Sequence, residues 1–330
     1  MRAPAASPRV MTVLGPLQAG ALGVTDAHNH IWIDAVPGGW PGAPVLNQEE
    51  PIRAELAHYR RAGGGAQVDC QPGGCGRDGR RLFALSQACG VPIVACTGFH
   101  RRRYYPLEHD LWHLSPQAAA ERFLAELRLG LAETLPADGS AGGIVQAGFV
   151  KAACENRLTD TPPAALEGAV AAAVASGAAL MFHTEKGAEV EALLAFCAAR
   201  GLAASRLVFC HIDKRPDFGL HRELAQAGVL LEYDTFFRPQ YNPEHNLWPL
   251  LARMATAGLE KHVALATDMA DAAQWRAFGG APGLSALLSI VRPRLFTLGL
   301  EPGAVARLLG GNIAARLARP LELAPSGDTP

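Results

Sequence analysis

The chain has 330 residues, 49% of them hydrophobic and 18% charged, with a formal net charge of −1. This length and balance suit one large globular domain or two modest ones, and near-neutrality gives nucleic acid or an anionic membrane no electrostatic hold. Seven scattered cysteines with no C-x-x-C pair fit free thiols in a reducing cytoplasm, where the protein is expected.

Residues 1–9 read as a flexible N-terminus without the apolar core of a signal peptide, and residues 10–22 as a cap on the bottom face of the main domain. Eight short apolar runs then recur: VTDAHNH (24–30), GAQVDC (65–70), PIVACTG (92–98), AGFVKAA (147–153), AALMFHTE (178–185), RLVFCHID (206–213), VLLEYDTFF (229–237) and HVALATDM (262–269). Helical segments separate them, clearest at 118–131, 164–176, 188–200 and 221–227. Gly90, Gly177, Gly201, Gly228 and Gly258 stand where helices should end. Strand-length runs alternating with helices argue for parallel βαβ units. Eight units make a (β/α)8 TIM barrel, one domain over residues 10–320. A doubly wound open sheet is the rival, but no G-x-G-x-x-G follows the first strand, and GGCG after the second lacks the Lys-Ser/Thr of a phosphate loop. The tail, 321–330, reads as disordered. No stretch reaches the roughly 18 apolar residues of a membrane span.

Several runs end in polar residues of metal-ligand type. His28 and His30 end the first, Lys151 lies in the fourth, His183 in the fifth, His211 in the sixth and Asp268 in the eighth. In a barrel these C-terminal ends converge on one mouth. Residues i and i+2 share a face, so His28 and His30 point there together. By the same parity, an inward His211 takes Phe209 and Leu207 inward and turns Val208 and Cys210 to the helices. An inward Asp268 sets Ala266 and Ala264 below it. Four histidines and a carboxylate exceed one tetrahedral zinc and suit two ions about 3.5–4 Å apart. Lys151, in a chain with four lysines and twenty-six arginines, is open to two readings. It pairs with an acid across the barrel, or burial and nearby cations hold its amine neutral and it adds carbon dioxide to become a bridging carbamate.

This constellation resembles the phosphotriesterase-like family of the amidohydrolase superfamily. VMTVLGPLQAGALGVTDAHNHIWID is similar to that family's opening, GFVKAA to its carboxylated-lysine strand, and FHTEKG and FCHIDKRPD to its later metal histidines. ATDMAD resembles its catalytic aspartate and GGNIAARLA its closing helix. The resemblance implies one ion on His28, His30 and Asp268 and a second on His183 and His211. The N6-carboxylated Lys151 and a hydroxide would bridge them. The ions would be zinc, with manganese, cobalt or iron compatible with the same ligands. Asp268 would act as general base and then acid. Asn29 and Thr267 depart from the family pattern at positions whose side chains point away from the ions. A homodimer is implied as well.

Loops at the mouth select the substrate. GFHRRRYYP after the third strand offers His100, Arg101, Arg102, Arg103 and Tyr104, either holding a substrate phosphate or carboxylate or salt-bridged to acids such as Glu108 and Asp110. The loop after the seventh strand adds Arg238 and Tyr241, and that after the eighth adds Trp275. The expected activity is hydrolysis of a small-molecule lactone or carboxylic ester with an anionic arm. A phosphotriesterase, and a binding protein with structural metals, are the alternatives.

Overall fold

The computed structural model describes residues 7–136 and 143–321, so most of the expected flexible N-terminus and of the expected tail lies outside the described residues. A hairpin of β1 (Arg9–Thr12) and β2 (Gly15–Gln18) comes first. Eight parallel strands follow: β3 (Thr25–Asn29), β4 (Ala66–Asp69), β5 (Ile93–Gly98), β6 (Phe149–Ala153), β7 (Leu180–His183), β8 (Leu207–Cys210), β9 (Leu230–Tyr233) and β10 (Val263–Leu265). They pair in sequence order. The seam between last and first closes at the mouth, where Asp268 N–H donates to the His28 carbonyl at 2.9 Å. Each of the eight apolar runs contains one barrel strand.

Helices α1 (Glu49–Arg61), α2 (Gly79–Cys89), α3 (Pro116–Arg128), α4 (Pro163–Ser176), α5 (Val190–Ala199), α6 (Phe218–Ala227) and α7 (Leu247–Thr256) fill the intervals. Local chemistry sets their ends. Asp78, Ser115 and Asp217 accept hydrogen bonds from first-turn N–H groups of α2, α3 and α6. Gly177 ends α4 at φ 66°, a left-handed conformation that costs a residue with a Cβ about 1 kcal/mol or more. After β10 the chain closes the barrel with α8 (Arg292–Thr297), α9 (Pro302–Ala306) and α10 (Asn312–Leu317).

Two apolar layers result. The barrel interior is small: Ala27, Ala66, Val68, Cys70, Cys96, Met181, Ala264 and Ala266, with Phe149, all buried. Val10 and Leu22 from the hairpin segment, with Ile313 and Leu317 of α10, pack against its lower end. Val13 N–H donates to Ile93 C=O at the start of β5, which places residues 10–22 under the barrel. Outside, Leu207, Phe209, Leu231 and Tyr233 pack among helix residues.

One expectation fails here. Val208 and Cys210 belong to the interior, and Leu207 and Phe209 to the outer layer. Strand parity breaks because His211 takes φ 61°. This left-handed residue ends β8 and turns its side chain back to the mouth, where simple alternation would send it to the helices. Asp268 is left-handed as well, at φ 47°, but Ala264 and Ala266 lie inside as expected. At β3, pairing with β4 slips between Asp26 and Asn29, a bulge that re-aims the strand end carrying His28 and His30.

Candidate metal and active site

Six side chains meet where the strands end. His28 Nε2 and His30 Nε2 lie 3.7 and 3.6 Å from Asp268 Oδ1. Lys151 Nζ is 3.3 Å from His28 Nε2. His211 Nε2 is 3.0 Å from His183 Nδ1, and the His28 and His211 ring centroids are 4.8 Å apart. His28, His211 and Asp268 offer ligand atoms within 4.8 Å of one another.

Each of the four histidines has its other ring nitrogen held by an oxygen. His28 Nδ1 donates to Glu232 at 2.8 Å, His30 Nδ1 to Gln71 Oε1 at 2.7 Å, His183 Nε2 to Glu185 at 2.9 Å, and His211 Nδ1 to Asp234. That fixes the tautomers and aims four lone pairs at one space. His183 Nδ1 and His211 Nε2 then face each other as bare acceptors. Two such lone pairs 3.0 Å apart repel unless a proton or a cation sits against both. Burial pushes the imidazoles of His28, His183 and His211 down, so they are neutral, the form a metal binds. Burial opposes charge on Asp268, but the Arg238 guanidinium, first among the groups that oppose burial, holds its carboxyl well below the usual carboxylate range. Imidazoles plus a carboxylate are a donor set that fits zinc.

Lys151 is fully buried on β6, opposite Gly98 of β5. Among the described residues it has no carboxylate partner at ion-pair distance, which leaves the acid-paired reading without a partner. Burial lowers its pKa, but Cys210, Cys70, Cys96 and Glu232 pull it up, and the net direction is upward. The thiol part of that pull requires thiolates. Burial pushes the Cys210 thiol up to about 12 and the other two up as well, so at neutral pH they lend no negative charge. What remains is burial against Glu232, whose own carboxyl burial pushes well above its usual range.

A cavity of about 530 Å3 opens over His30, His100, His183, His211 and Asp268. Lys214, Arg238 and Tyr241 line it from the loops after β8 and β9, and Trp40, Arg103 and Tyr104 from the loops after β3 and β5. Arg238 Nη2 donates to Asp268 Oδ2 at 2.7 Å. Lys214 Nζ stands 5.4 Å from the Tyr241 ring centroid. Arg103 lies between Trp40 and Tyr104, 4.5 and 4.9 Å from their ring centroids. The remaining arginines of the triplet do not line the cavity. Arg101 is neutralised by Glu155 at 2.7 Å and Glu185 at 2.6 Å, and Arg102 lies over Trp112. Trp275 is fully buried, and its indole N–H donates to Met269 C=O at 2.9 Å, so it packs the loop after β10 and is removed from the substrate set.

Sequence reasoning missed Glu232, Asp234, Gln71, Glu185 and Lys214. A signal existed for the first two: LLEYD carries two acids at i and i+2 inside an apolar strand. Gln71, Glu185 and Lys214 stand in loops just after strands, where no periodicity marks them.

A (β/α)8 barrel with histidines, a buried lysine and a carboxylate gathered at its C-terminal mouth is the build of a hydrolase that works at strand ends. The Phosphotriesterase family profile matches residues 8–315, and the chain belongs to that family. It is similar to the phospho-furanose lactonase of Mycoplasmopsis synoviae, 24% identical over 91% of this chain and 89% of the relative. It is also similar to the N-acetyltaurine hydrolase of Rattus norvegicus, 27% identical over 93% of this chain and 97% of the relative. The fold matches a lactonase from Listeria monocytogenes with a TM-score of 0.84 at 20% identity, covering 95% of this chain and 100% of that one. The protein is a hydrolase of ester- or amide-type bonds.

Proposed function

We propose that the protein hydrolyses a small carboxylic acid derivative bearing an anionic group, a lactone or ester first and an amide second, with two divalent cations, zinc by donor type. The observation that carries this is the meeting of Lys214, Arg238 and Arg103 with His30, His183, His211 and Asp268 in one cavity. Cations there would hold a phosphate, carboxylate or sulfonate while the scissile bond lies over the histidines. The lactonase and the N-acetyltaurine hydrolase act on a lactone carrying phosphate and an amide carrying a sulfonate, which supports an anionic arm and keeps the amide in view. A neutral phosphotriester would leave Lys214 and Arg103 without an anion to hold. A purely structural metal role would give no reason for a cavity above the donors.

His28, His30 and Asp268 would hold one cation, His183 and His211 the other, and Lys151 as a carbamate both. When bound, the two cations lower the pKa of a shared water and polarise the scissile carbonyl. Asp268 accepts the water's proton and returns it to the leaving group. Arg238 fixes the Asp268 carboxylate through Oδ2, and Lys214 orients the anionic arm. A single domain over residues 10–320, acting as a cytoplasmic homodimer, completes the proposal.

The test is zinc-loaded protein against phosphorylated, free-acid and neutral lactones, N-acetyltaurine and a phosphotriester. Highest kcat/KM on an anionic lactone or amide is expected. Activity confined to neutral lactones would remove the anion site, and activity on the triester alone would overturn the substrate class.

A further inference from the structure

Strand β9 supplies none of the six donors, yet it carries two carboxyl groups into the barrel. Leu230 faces the interior, so by strand alternation Glu232 and Asp234 do too. Both are completely buried. Glu232 reaches His28 Nδ1 at 2.8 Å and Asp234 reaches His211 Nδ1, one histidine for each of the two cation positions. Cys210 is close enough to share a ligand cluster with Glu232 and His28, and His211 and Asp234 form a second cluster with Glu232. Its Oε1 has no hydrogen-bond partner among the described residues.

Packing does not account for such a residue. A carboxyl group with one oxygen unpartnered inside a barrel is costly, and an apolar side chain of similar volume is often neutral or better for stability. What Glu232 does hold is the orientation of one ring. Without an acceptor on Nδ1, the His28 imidazole is free to flip or change tautomer, and Nε2 is no longer aimed beside Asp268 and Lys151.

We propose that Glu232 is a positioning residue: it locks His28 with Nε2 turned to the cation position shared with His30 and Asp268, at a cost in stability. This rests on the two-cation reading of the site. Stability and metal binding should therefore move in opposite directions when the acceptor is removed.

The experiment compares wild type with Glu232→Leu, Glu232→Gln and Glu232→Asp. Each full-length chain is stripped with chelator and reloaded with zinc. Zinc per chain, the rate of zinc release to a colorimetric chelator, and the melting temperature of the stripped protein are measured. Glu232→Leu should melt at or above wild type when stripped, bind one of its two zinc ions about 10- to 100-fold more weakly, and release it first. Glu232→Gln keeps an acceptor oxygen in place and should hold both ions. Glu232→Asp keeps the carboxyl group but falls short of His28, and should behave like Glu232→Leu, which also covers the case in which the leucine variant fails to fold. Wild-type zinc release from Glu232→Asp and Glu232→Leu would overturn the proposal. So would a loss in Glu232→Gln equal to that in Glu232→Leu, because an acceptor oxygen kept in place would then not suffice to hold the ring. A wild-type chain that takes up no zinc removes the two-cation reading along with it. Two zinc ions in wild type with unaffected variants remove this role alone.

Discussion

At the scale of single residues, the site is a set of neutral imidazoles around one strongly held carboxylate. Asp268 stays ionised beside the Arg238 guanidinium. Asp268→Asn keeps an oxygen for the cation but not a base. Zinc content should stay near that of wild type while kcat falls by about 100- to 10,000-fold; wild-type turnover would remove the base role. Lys151→Ala should lose zinc and activity together, and added acetate or propionate should restore part of both by supplying the missing carboxylate. Unchanged zinc content would make the lysine structural. The six side chains that meet at the mouth were legible because polar letters stand out at the ends of apolar runs. Arg101 and Trp275 were misplaced because a loop has no period to say which side chains turn inward. Only the fold shows that Glu155 and Glu185 occupy the first and that the second is buried.

At the scale of elements, β5 and β6 approach so closely at Gly98 that a Cβ there would stand 1.8 Å from the Lys151 carbonyl oxygen, at φ 106°. Gly98→Ala should cost about 3 kcal/mol or more and displace Lys151, read as a lower denaturation midpoint together with reduced zinc content. On α6, His221 sits between the Tyr233 hydroxyl at 2.6 Å and Arg215 C=O at 2.9 Å. Burial pushes its pKa down to about 4 from an ordinary 6.5. The depressed value means the fold binds the neutral ring. Its contribution is full above pH 6.5 and is lost as pH falls toward 4. Between pH 7 and 4.5 the wild type should lose about 2–3 kcal/mol more stability than His221→Gln, measured by urea denaturation. Strand positions were readable as short apolar runs between helical segments, but the left-handed turns at His211 and Asp268 were not. Nothing in their neighbouring letters calls for positive φ, and the inward and outward faces of β8 were exchanged for that reason.

For the whole molecule, eight apolar runs and the glycines behind the helices sufficed to specify the barrel, since only a closed parallel sheet buries eight such strands on both faces. The packing of residues 10–22 against the lower end also followed from chain order; that α10 joins them there did not. The seam was not foreseeable from letters. Asp268 N–H meets His28 C=O across the join of the last and first strands, so the donor group straddles the line along which the barrel shuts. During synthesis, the His28 end of the seam emerges long before the other. The ribosome releases a competent site only after residue 268 and its flanking chain have cleared the exit tunnel. We therefore expect metal capture to follow barrel closure and not to guide it. Refolding from urea should proceed at the same rate with and without zinc, and acceleration by zinc would show the reverse order.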